Sequence, residues 1–474
     1  MDTNPSARHF HAPKLSPDQQ AALEDLHRFA QDPRATRHAL AGPAGSGKSY
    51  LIGQFLQACP LPIQLTATTN KAALVAERMA PGHKASTIHS LLGLKPEPDD
   101  RKGRMILRQN RDPKAKAGAL VVVDEASMID SELLTVIDKH ARTIGFRVLY
   151  VGDSYQLPPV FESISPAFDQ VPTSHLTTIH RQALDNPLIA AATGFRKVLD
   201  GEPFPYLEPR APGVVLKSGP DMTRAMLGAF STDEYRADGD YCRVLAWTNA
   251  RVLFLNQIIR KHLLGPIAER CPYMPGEQFV VNSAIELDET SILPTEARVT
   301  VTDAQPAELV DPDTGINVSG WRVTVLKPET DYIPGDDEDE EEDHEARVFC
   351  PDDPEAAKAL LGIYARKAQA LQKECNRFPY GAAPLALDQD RRAAWREFFD
   401  VKRRFADLRP PHAQTVHKSQ GSTYRYAFID AGDIGRCTRS KLLARLLYVA
   451  LTRPSETAII SGELPARLYQ EVAA

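Results

Sequence analysis

The stretch AGPAGSGKS at residues 41–49 decides the fold of this chain, because it fits the pattern GxxxxGK[ST] without a gap. Residues 37–41 before it are short and partly apolar like a buried strand, and residues 50–56 after it have helical apolar spacing. A glycine-rich turn between a strand and a helix points backbone N–H groups and the positive end of the helix dipole at an anion. The sequence therefore predicts a phosphate-binding loop in an α/β domain.

Residue types within this loop indicate its chemistry. Lys48 is expected to reach the β- and γ-phosphates of a nucleotide, and the Ser49 hydroxyl is expected to hold Mg²⁺. The predicted phosphate-binding residues are Gly42, Gly45, Ser46, Gly47, Lys48 and Ser49. Taken alone, the motif leaves open a glycine-rich turn that matches by chance.

A second buried strand ends in two acids. Residues 119–123 are five apolar residues in a row, which is typical of a strand covered on both faces, and Asp124 and Glu125 follow them. Ligands of α/β sheets bind at the carboxyl ends of the strands. We therefore expect Asp124 to bind Mg²⁺ and Glu125 to be the base that activates water for attack on the γ-phosphate. A helix-capping role is the alternative for Glu125.

A third strand, residues 147–151, runs into GDSYQLPP at residues 152–159. Gln156 follows its end, where a neutral amide can sense the γ-phosphate or the attacking water, unless the segment is only a proline-terminated loop. Three such strand ends in this order indicate a nucleoside triphosphatase. They do not identify the work that the hydrolysis drives.

The remaining motifs carry a resemblance to a known family. Six segments follow the order of the superfamily 1 helicase motifs, namely GPAGSGKS at 42–49, VVVDEAS at 121–127, VGDSYQLPPV at 151–160, HRQ at 180–182, TVHKSQG at 415–421 and LYVALTR at 447–453. The chain resembles the Dda and RecD branch of that superfamily, and residues 85–90, 247–249 and 395–453 are particularly similar to phage Dda-type helicases. The likeness covers nearly the whole chain apart from a stretch around residues 270–390.

This resemblance implies an ATP-dependent DNA helicase that moves along single-stranded DNA, and the 5′ to 3′ direction is implied by the likeness alone. It also implies that Arg181 and Arg453 reach across the nucleotide cleft to meet the charge that develops on the γ-phosphoryl group. Gln19 matches the glutamine that reads the adenine edge, and with Ser16 it also fits a helix capping box. A surface ion pair is the alternative for either arginine taken singly.

The family resemblance implies that hydroxyl and small polar groups hold the nucleic-acid strand. The matching positions are Thr68, Thr69, Asn70, Thr87, His89, Thr248, Asn249, Thr415 and His417. Such groups contact the sugar-phosphate backbone, so we expect binding that is nearly independent of sequence and sensitive to salt. A loop or helix-capping role is the alternative for each of them taken singly.

The implied fold class is α/β, with two RecA-like P-loop domains that contain parallel sheets and an inserted SH3-like β-barrel with a helical arm. The predicted limits are a loose tail at 1–13, a first RecA-like domain at 14–170 with an insertion at about 91–117, a second RecA-like domain at 171–263 and 409–474, and the insert at 264–408 with an acidic loop at 336–343 and the arm at about 354–408.

The resemblance places a strand-separating pin in the insertion at about 91–117. That stretch has no Phe, Tyr or Trp, and its clustered bulky residues are Met105, Ile106 and Leu107. This departure from the family pattern puts efficient duplex separation in doubt more than it does translocation.

Short patterns inside the insert support this division. Residues 278–281, 297–301 and 321–326 alternate like strands. Two apolar helix faces are predicted, the first from Leu360, Tyr364 and Leu371 and the second from Phe398, Val401, Phe405 and Leu408.

Composition fits an enzyme of several domains, with 474 residues of which 43% are hydrophobic and 25% charged. The net charge of −6 looks wrong for a nucleic-acid-binding protein, but eight of the acids lie together at 336–343. We interpret this run as a solvated loop, with a docking site for a basic partner as the alternative. The six cysteines show no CxxC spacing, which disfavours a zinc site. The sequence has no 18-residue apolar run and no signal-peptide core, so we expect a cytoplasmic protein of a bacterium or a phage-infected host.

The predicted cofactors are ATP and Mg²⁺, and the predicted partners are single-stranded DNA and forked duplex DNA, with replication or recombination proteins as further candidates. We expect a monomer that does not bind membranes. Two other functions stay open at this point: a motor subunit of a RecD-like recombination complex, and a P-loop switch that senses nucleotide without moving. The residues also leave the choice between DNA and RNA open, because backbone contacts serve either.

Overall fold

A computed structural model describes residues 15–79, 82–101, 103–159, 162–179, 186–210, 212–287, 292–327, 345–379 and 383–469. The predicted tail at 1–13, the acidic run at 336–343 and Arg181 lie outside these residues. Two parallel sheets and one antiparallel sheet organise the described chain. None of its described helices combines the length and the apolar character that crossing a bilayer requires.

The strands of the first 180 residues form one sheet and one hairpin. They are β1 (Arg37–Ala41), β2 (Ile63–Ala67), β3 (Ala85–Thr87), β4 (Leu94–Asp99), β5 (Arg104–Gln109), β6 (Leu120–Asp124), β7 (Arg147–Gly152) and β8 (Thr173–His175). The sheet has the order β3-β2-β6-β7-β1-β8 with parallel pairing throughout, whereas β4 and β5 pair antiparallel as a hairpin. This hairpin lies in the predicted pin insertion.

The uninterrupted apolar run of β6 is explained by burial on both faces of this sheet. Val121 and Val123 belong to one buried cluster, and Leu120 and Val122 belong to the cluster on the opposite face. Successive side chains of a strand point to opposite faces, so a strand covered on both sides needs apolar residues at every position. Burial ends at Asp124, which starts the polar edge of the sheet.

The rest of the chain contributes two further sheets. Its strands are β9 (Val214–Leu216), β10 (Cys242–Ala246), β11 (Gln278–Val281), β12 (Ile285–Glu286), β13 (Ile292–Leu293), β14 (Arg298–Val310), β15 (Asn317–Leu326), β16 (Glu345–Pro351), β17 (Leu408–Arg409), β18 (Ala413–Thr415), β19 (Tyr424–Asp430) and β20 (Pro454–Ser461). The second parallel sheet has the order β18-β10-β19-β20-β9. Both parallel sheets are therefore assembled from strands that helices connect.

Helices flank the sheets. They are α1 (Pro17–Gln31), α2 (Lys48–Ala58), α3 (Asn70–Met79), α4 (Ile88–Leu91), α5 (Ser131–His140), α6 (Pro166–Asp169), α7 (Pro187–Leu199), α8 (Gly219–Phe230), α9 (Asp233–Ala237), α10 (Asn249–Leu264), α11 (Ile267–Arg270), α12 (Pro354–Cys375), α13 (Leu385–Arg403), α14 (Ala431–Ile434) and α15 (Ser440–Leu451). We call the first sheet with α1–α6 the first lobe. The second sheet with α7–α10, α14 and α15 is the second lobe.

The insert contains an antiparallel sheet with the order β16-β15-β14-β11-β17 and a small β12–β13 pair. Its apolar side is a buried cluster that includes Phe279, Val299 and Val323. The described pairings form an open sheet with β16 and β17 at its edges, so the SH3-like barrel stays a prediction.

The helical arm is formed by α12 and α13, which pack on each other through Ala368, Ala394 and Phe399. The expectation that Phe405 and Leu408 continue the second helix is wrong, since α13 ends at Arg403. Leu408 lies in β17, pairs with Val281 and points into the core of the insert sheet. The apolar spacing continues past the helix end because Phe405 still packs on the cluster that contains Val401 of α13, whereas Leu408 belongs to the core of the insert sheet.

Candidate nucleotide site and strand-binding groove

A cavity of about 380 Å³ lies where β1, β6 and β7 end. Its lining residues are Ala44, Gly45, Gly47, Lys48, Ser49, Ala72, Val75, Asp124, Glu125, Gly152, Asp153, Gln156 and Gly421. Gly421 belongs to the second lobe and all the others belong to the first. The predicted nucleotide residues therefore meet at the carboxyl edge of the first sheet, and the second lobe closes one side of the cavity.

The phosphate-binding loop has the backbone that its glycines permit. Gly45 and Gly47 have φ values of 81° and 78°, which residues with a side chain rarely adopt. A Cβ at Gly42 would lie 2.6 Å from the Ser46 hydroxyl oxygen, so close packing requires glycine there. The Lys48 Nζ donates hydrogen bonds to the carbonyl oxygens of Gly42 at 2.7 Å and Pro43 at 3.1 Å. This keeps the lysine ammonium folded back over the loop.

Gln19 supports the loop from outside. Its side-chain amide donates to the Ser46 carbonyl oxygen at 3.0 Å, and its Oε1 accepts the Ser16 N–H at 3.1 Å in the predicted capping box. The Ser46 hydroxyl is buried and donates to the Pro43 carbonyl oxygen. The capping prediction is confirmed, and reading of the adenine edge by Gln19 stays a prediction.

Glu125 has a strained backbone at the end of β6. Its φ is 53°, in the left-handed region that a residue with a long side chain rarely enters. It precedes the short helix Ala126–Met128, but its carboxylate makes no capping hydrogen bond, which argues against the capping alternative. Strain of this kind persists only where surrounding structure imposes it, and it is concentrated at functional sites. The strain directs the chain so that the carboxylate lines the cavity.

The electrostatics of the two acids differ from those of exposed carboxylates. Burial and, after it, the adjacent Asp124 raise the pKa of Glu125, and Arg453 and Lys48 oppose the rise, so that the pKa is about 7. Burial also raises the pKa of Asp124, although the Glu125 N–H and Lys48 stabilise its charged form. A carboxyl group with a pKa near 7 can gain and lose a proton at neutral pH.

Ser49 and Asp124 both line the cavity and fit a magnesium ion. Mg²⁺ is commonly held by one or two protein oxygens together with substrate phosphates and water. The described residues contain no cluster of three or more histidine, cysteine and acidic side chains that would hold a metal by themselves. The donor set thus favours a metal that arrives with a nucleotide.

Gln156 is nearly buried and lies at the contact between the lobes. The Gln420 side chain of the second lobe donates to the Leu157 carbonyl oxygen at 3.0 Å and reaches the Gln156 Oε1 at 3.5 Å. Leu157 itself packs in the main core cluster of the second lobe. The segment after β7 is therefore held by both lobes, as a sensor of the nucleotide would need to be.

Arg453 follows α15 in the second lobe, is 7% exposed and is not among the residues that line the cavity. Its guanidinium donates to the carbonyl oxygens of Val449, Ser419 and Ser422. The charge acts on Glu125 across the lobe contact, where it opposes the rise of the Glu125 pKa. Arg453 is thus near enough to act on Glu125 electrostatically, and its contact with a γ-phosphate stays a prediction.

Two residues of α15 that sequence reasoning missed also reach the first lobe. The Arg445 guanidinium donates to the carbonyl oxygens of Ser154 at 2.8 Å and Gln156 at 2.7 Å. The Tyr448 hydroxyl bonds to Asp153 and accepts the Ala44 N–H at 3.0 Å. Their spacing of three residues on a helix that ends just before Arg453 was a signal, since side chains at i and i+3 share a helix face.

The predicted strand contacts of the first lobe are distributed over the carboxyl ends of β2 and β3. The Thr69 hydroxyl accepts the Ala72 N–H, and Thr87 caps α4 by accepting the Ser90 N–H. The Thr68 hydroxyl donates weakly to the Glu125 carbonyl oxygen at 3.4 Å, next to the nucleotide cavity. Asn70 is exposed at the start of α3, and burial lowers the pKa of His89.

The predicted strand contacts of the second lobe lie at the ends of β10 and β18. Thr248 caps α10 and donates to Asp433 at 2.9 Å, and Asn249 accepts a hydrogen bond from Arg409. Thr415 accepts the Lys418 N–H, while burial first and then Arg439 lower the pKa of His417. Capping roles are thus confirmed for three of the threonines, Thr69, Thr87 and Thr248, whereas Thr415 ends β18 before the Val416 N-cap of the short helix His417–Ser419. Contact with nucleic acid stays a prediction for all nine positions.

Lys418 was also missed. Its ammonium donates to the carbonyl and side-chain oxygens of Asn282 at 2.8 and 2.6 Å and pairs with Glu296 at 3.0 Å. Glu296 has a φ of 68°, the second strained residue with a side chain among the described residues. The TVHKSQG segment is thereby tied to the insert.

The hairpin β4–β5 reaches the arm of the insert. A Cβ at Gly103, near the tip, would lie 2.2 Å from two ring carbons of Trp395 on α13. Arg391 of the same helix donates to the Arg101 carbonyl oxygen. The pin lacks an aromatic residue of its own, and the arm places one against its tip.

Comparisons with known proteins agree with this arrangement. Residues 14–200 match the family model described as an AAA domain, and residues 411–461 match the model of the UvrD-like helicase C-terminal domain. The chain is 26% identical over 442 residues to the ATP-dependent DNA helicase dda of Enterobacteria phage T4, an alignment that spans 87% of this chain and 91% of the relative.

Two further similarities are more limited, the first in length and the second in identity. The ATP-dependent RecD2 DNA helicase of Deinococcus radiodurans is 35% identical over 196 residues, which are 40% of this chain and 24% of that protein. A solved structure of Pif1 helicase from Bacteroides in complex with ADP-AlF3 and ssDNA aligns with 96% of this chain and 94% of its own, at 16% identity and a TM-score of 0.42. The two family models and the likeness across nearly the full length of the phage relative identify the chain as a member of the Dda/Pif1/RecD-like group of superfamily 1 helicases.

Proposed function

We propose that this chain is an ATP-dependent DNA helicase that moves along single-stranded DNA in the 5′ to 3′ direction. The movement would unwind duplexes or displace bound proteins. The observation that carries the proposal is the cavity that Lys48, Asp124 and Glu125 of the first lobe line together with Gly421 of the second, with the charge of Arg453 acting on Glu125 from the second lobe.

Each of these groups has a role in the proposed hydrolysis. Lys48 leaves the carbonyl oxygens of its own loop and neutralises the β- and γ-phosphates, and the backbone N–H groups of the loop hold their oxygens. Ser49 and Asp124 would hold a magnesium ion, which would offset the charge of the phosphates. Glu125 accepts the proton of the attacking water, with Gln156 orienting that water.

Movement follows from the position of the cavity between the lobes. A triphosphate attracts Arg453 and, by the family resemblance, Arg181 towards the first lobe, and hydrolysis removes that attraction. The nine predicted strand contacts lie on both lobes, so alternate closing and opening shifts the grip along the strand. Contacts of this kind hold phosphates and sugars, which makes the grip independent of base sequence.

The division of the chain is part of the proposal. The limits 14–170, 171–263 with 409–474, and 264–408 are supported by the separate buried clusters of the first lobe, the second lobe and the insert. In this division the β4–β5 hairpin is the pin that splits the fork, and the arm supports its tip through Trp395. In this proposal the sheet of the insert also curves and closes into an SH3-like barrel.

The test is ATP hydrolysis by the purified chain with and without single-stranded DNA, together with unwinding of duplexes that carry either a 5′ or a 3′ single-stranded tail. We expect hydrolysis that DNA stimulates and unwinding from the 5′ tail. Lys48→Ala is expected to abolish both activities, whereas Lys197→Ala, at an exposed ion pair of α7, is expected to preserve them. Unwinding only from the 3′ tail would overturn the direction, and hydrolysis that DNA does not change would overturn the motor.

A further inference from the structure

Tyr448 joins three separate segments through one hydroxyl group. Its ring is 2% exposed and belongs to the main core cluster of the second lobe. The hydroxyl leaves that core, accepts the Ala44 N–H of the phosphate-binding loop at 3.0 Å and donates to the Asp153 carboxylate beyond β7. The donors and acceptors lie about 290 to 400 positions apart in the chain, so the contact exists only when the two lobes meet.

Asp153 depends on this contact. Its carboxylate is 1% exposed and accepts the Tyr155 N–H at 2.9 Å on its other oxygen. A buried carboxylate without a hydrogen-bond donor is costly, so the tyrosine hydroxyl contributes to holding the ionised acid in place. Burial and the neighbouring Asp153 keep the pKa of Tyr448 well above its ordinary value, and the hydroxyl therefore stays a donor.

The phosphate-binding loop is held between the cavity and Tyr448. Gly45, Gly47 and Lys48 line the cavity, while the N–H of Ala44 is directed to the second lobe. A phosphate that moves the loop therefore also moves the partner of the Tyr448 hydroxyl. Helix α15 lies at the other end of this linkage. Its Arg445 holds the helix against the first lobe by donating to the Ser154 and Gln156 carbonyl oxygens.

We propose that Tyr448 is a positioning residue that passes the state of the phosphate-binding loop to α15 and so sets the approach of Arg453 to the bound nucleotide. The linkage runs from Ala44 to the Tyr448 hydroxyl, along the last turn of α15 and on to Arg453, which follows the end of that helix. The inference rests on the proposed hydrolysis of ATP. It adds a group that touches neither the nucleotide nor the metal.

Tyr448→Phe tests this role because it removes the hydroxyl and keeps the ring in its core. The residues that line the phosphate cavity are unchanged, so the KM for ATP is expected to stay within about twofold. We expect kcat for ATP hydrolysis to fall about tenfold, since the loss of one hydrogen bond to a charged group weakens the closed arrangement that brings Arg453 into place.

Tyr150→Phe is the matched control. Tyr150 is fully buried in β7, and its hydroxyl has no hydrogen-bond partner among the described residues. Loss of that hydroxyl is expected to leave kcat and KM unchanged. A second comparison uses Asp153→Asn: if both residues act through the same hydrogen bond, the double variant with Tyr448→Phe should lose no more activity than the more impaired single variant.

Hydrogen exchange supplies a readout that needs no turnover. In the protein without nucleotide, the peptide that contains Ala44 is expected to exchange faster in Tyr448→Phe than in wild type or Tyr150→Phe, because its N–H has lost its acceptor. Should Tyr448→Phe fail to fold, a fall in kcat for Asp153→Asn carries the test, whereas exchange at Ala44 is not expected to change in that variant, because the Tyr448 hydroxyl remains as its acceptor.

Wild-type kcat in both Tyr448→Phe and Asp153→Asn would overturn the inference, as would unchanged exchange at Ala44 in Tyr448→Phe or a loss confined to KM. Additive losses in the double variant would overturn it too. A wild-type protein that hydrolyses ATP without any response to DNA would contradict the proposed motor, but the comparison of Tyr448→Phe with Tyr150→Phe would still decide this inference.

Discussion

His412 shows how one buried residue makes stability depend on pH. Its Nδ1 lies 2.8 Å from the Tyr235 hydroxyl, and its ring meets Phe230 edge to face. Burial and, after it, the cations Arg243 and Arg260 together lower the pKa of His412 to about 3. The folded protein therefore keeps this imidazole neutral at pH values where an unfolded chain would protonate it.

The sign of the effect follows from this difference. The folded pKa lies below the ordinary value of 6.5, so the contribution of His412 is fully present above that pH and is lost as the pH falls towards 3. Between pH 7.5 and 5.5 this amounts to about 1 kcal/mol of unfolding free energy. We expect His412→Asn to remove that part of the pH dependence in denaturant unfolding at the two pH values.

The control is His262→Asn at an exposed position of α10. This variant should show the same pH dependence of unfolding as the wild type, because the side chain is exposed to water in the folded and in the unfolded protein. Equal pH dependence in wild type and His412→Asn would contradict the prediction.

At the scale of residues, the sequence identified those whose roles follow from a short local motif. Lys48, Asp124 and Glu125 stand in motifs whose spacing fixes their geometry, and the structure places all three at one cavity. Lys418 could not be found in this way, because its partner Glu296 is distant in the chain. For Tyr448 the helical spacing with Arg445 indicated a shared helix face, but nothing in the sequence identified its distant partners Ala44 and Asp153.

At the scale of elements, the pin and the arm form one mechanical unit. Gly103 has a φ of 64° and packs directly on the Trp395 ring, so a methyl group there would push the tip of the hairpin away. If the hairpin is the pin of the proposed helicase, it must resist the force of the incoming strands, and its contact with the arm would supply that resistance. Loss of this contact is then expected to reduce strand separation more than ATP hydrolysis.

Gly103→Ala is therefore expected to reduce the unwinding rate about fivefold while DNA-stimulated ATP hydrolysis stays within about twofold, as expected for a step that depends on a correctly held structure. Gly118→Ala is the control, because Gly118 has a φ of 73° with open space where the methyl group would lie. Both changes carry the same backbone strain of about 1 kcal/mol. Equal unwinding by the two variants on a forked duplex would show that the contact with Trp395 has no part in strand separation.

The elements also show where sequence reasoning stops. The hairpin and both arm helices were predictable from turn residues and apolar spacing. The contact between them was not, since the aromatic side chain lies on the arm and the pin itself carries none. The error at Leu408 has a related cause: apolar spacing records that a residue is buried, but not which core buries it.

At the scale of the whole molecule, one carboxylate connects the two lobes and the insert. Asp240 pairs with Lys71 of α3 at 3.0 Å, with Arg243 of β10 at 3.0 Å and with Arg298 of β14. Burial favours protonation of this acid, but the three cations outweigh it and hold the pKa of Asp240 below its ordinary value. Lys71 is thus the link of this cluster to the first lobe, and it follows Asn70 directly.

The Lys71 pair is placed to couple the nucleotide to the relative position of the lobes. The next residue, Ala72, lines the nucleotide cavity, and the Lys71 ammonium also lies 5.0 Å from the centre of the Tyr424 ring in β19. A change in the cavity that shifts α3 therefore moves a charge that the second lobe holds. Since both partners are about one-third exposed, the pair adds little to stability, at most about 1 kcal/mol.

Lys71→Met keeps the length of the side chain and removes its charge, while Arg243 and Arg298 continue to satisfy Asp240. We expect a folded protein whose ATP hydrolysis persists but which unwinds about threefold less DNA per ATP, because closure of the cavity is no longer passed fully to the second lobe. The ratio is obtained from hydrolysis and unwinding rates measured on the same forked duplex. Lys197→Met, which breaks an exposed ion pair within the second lobe, should keep the wild-type ratio. If Lys71→Met also keeps it, the lobes are coupled through other contacts, of which the Tyr448 linkage is the foremost.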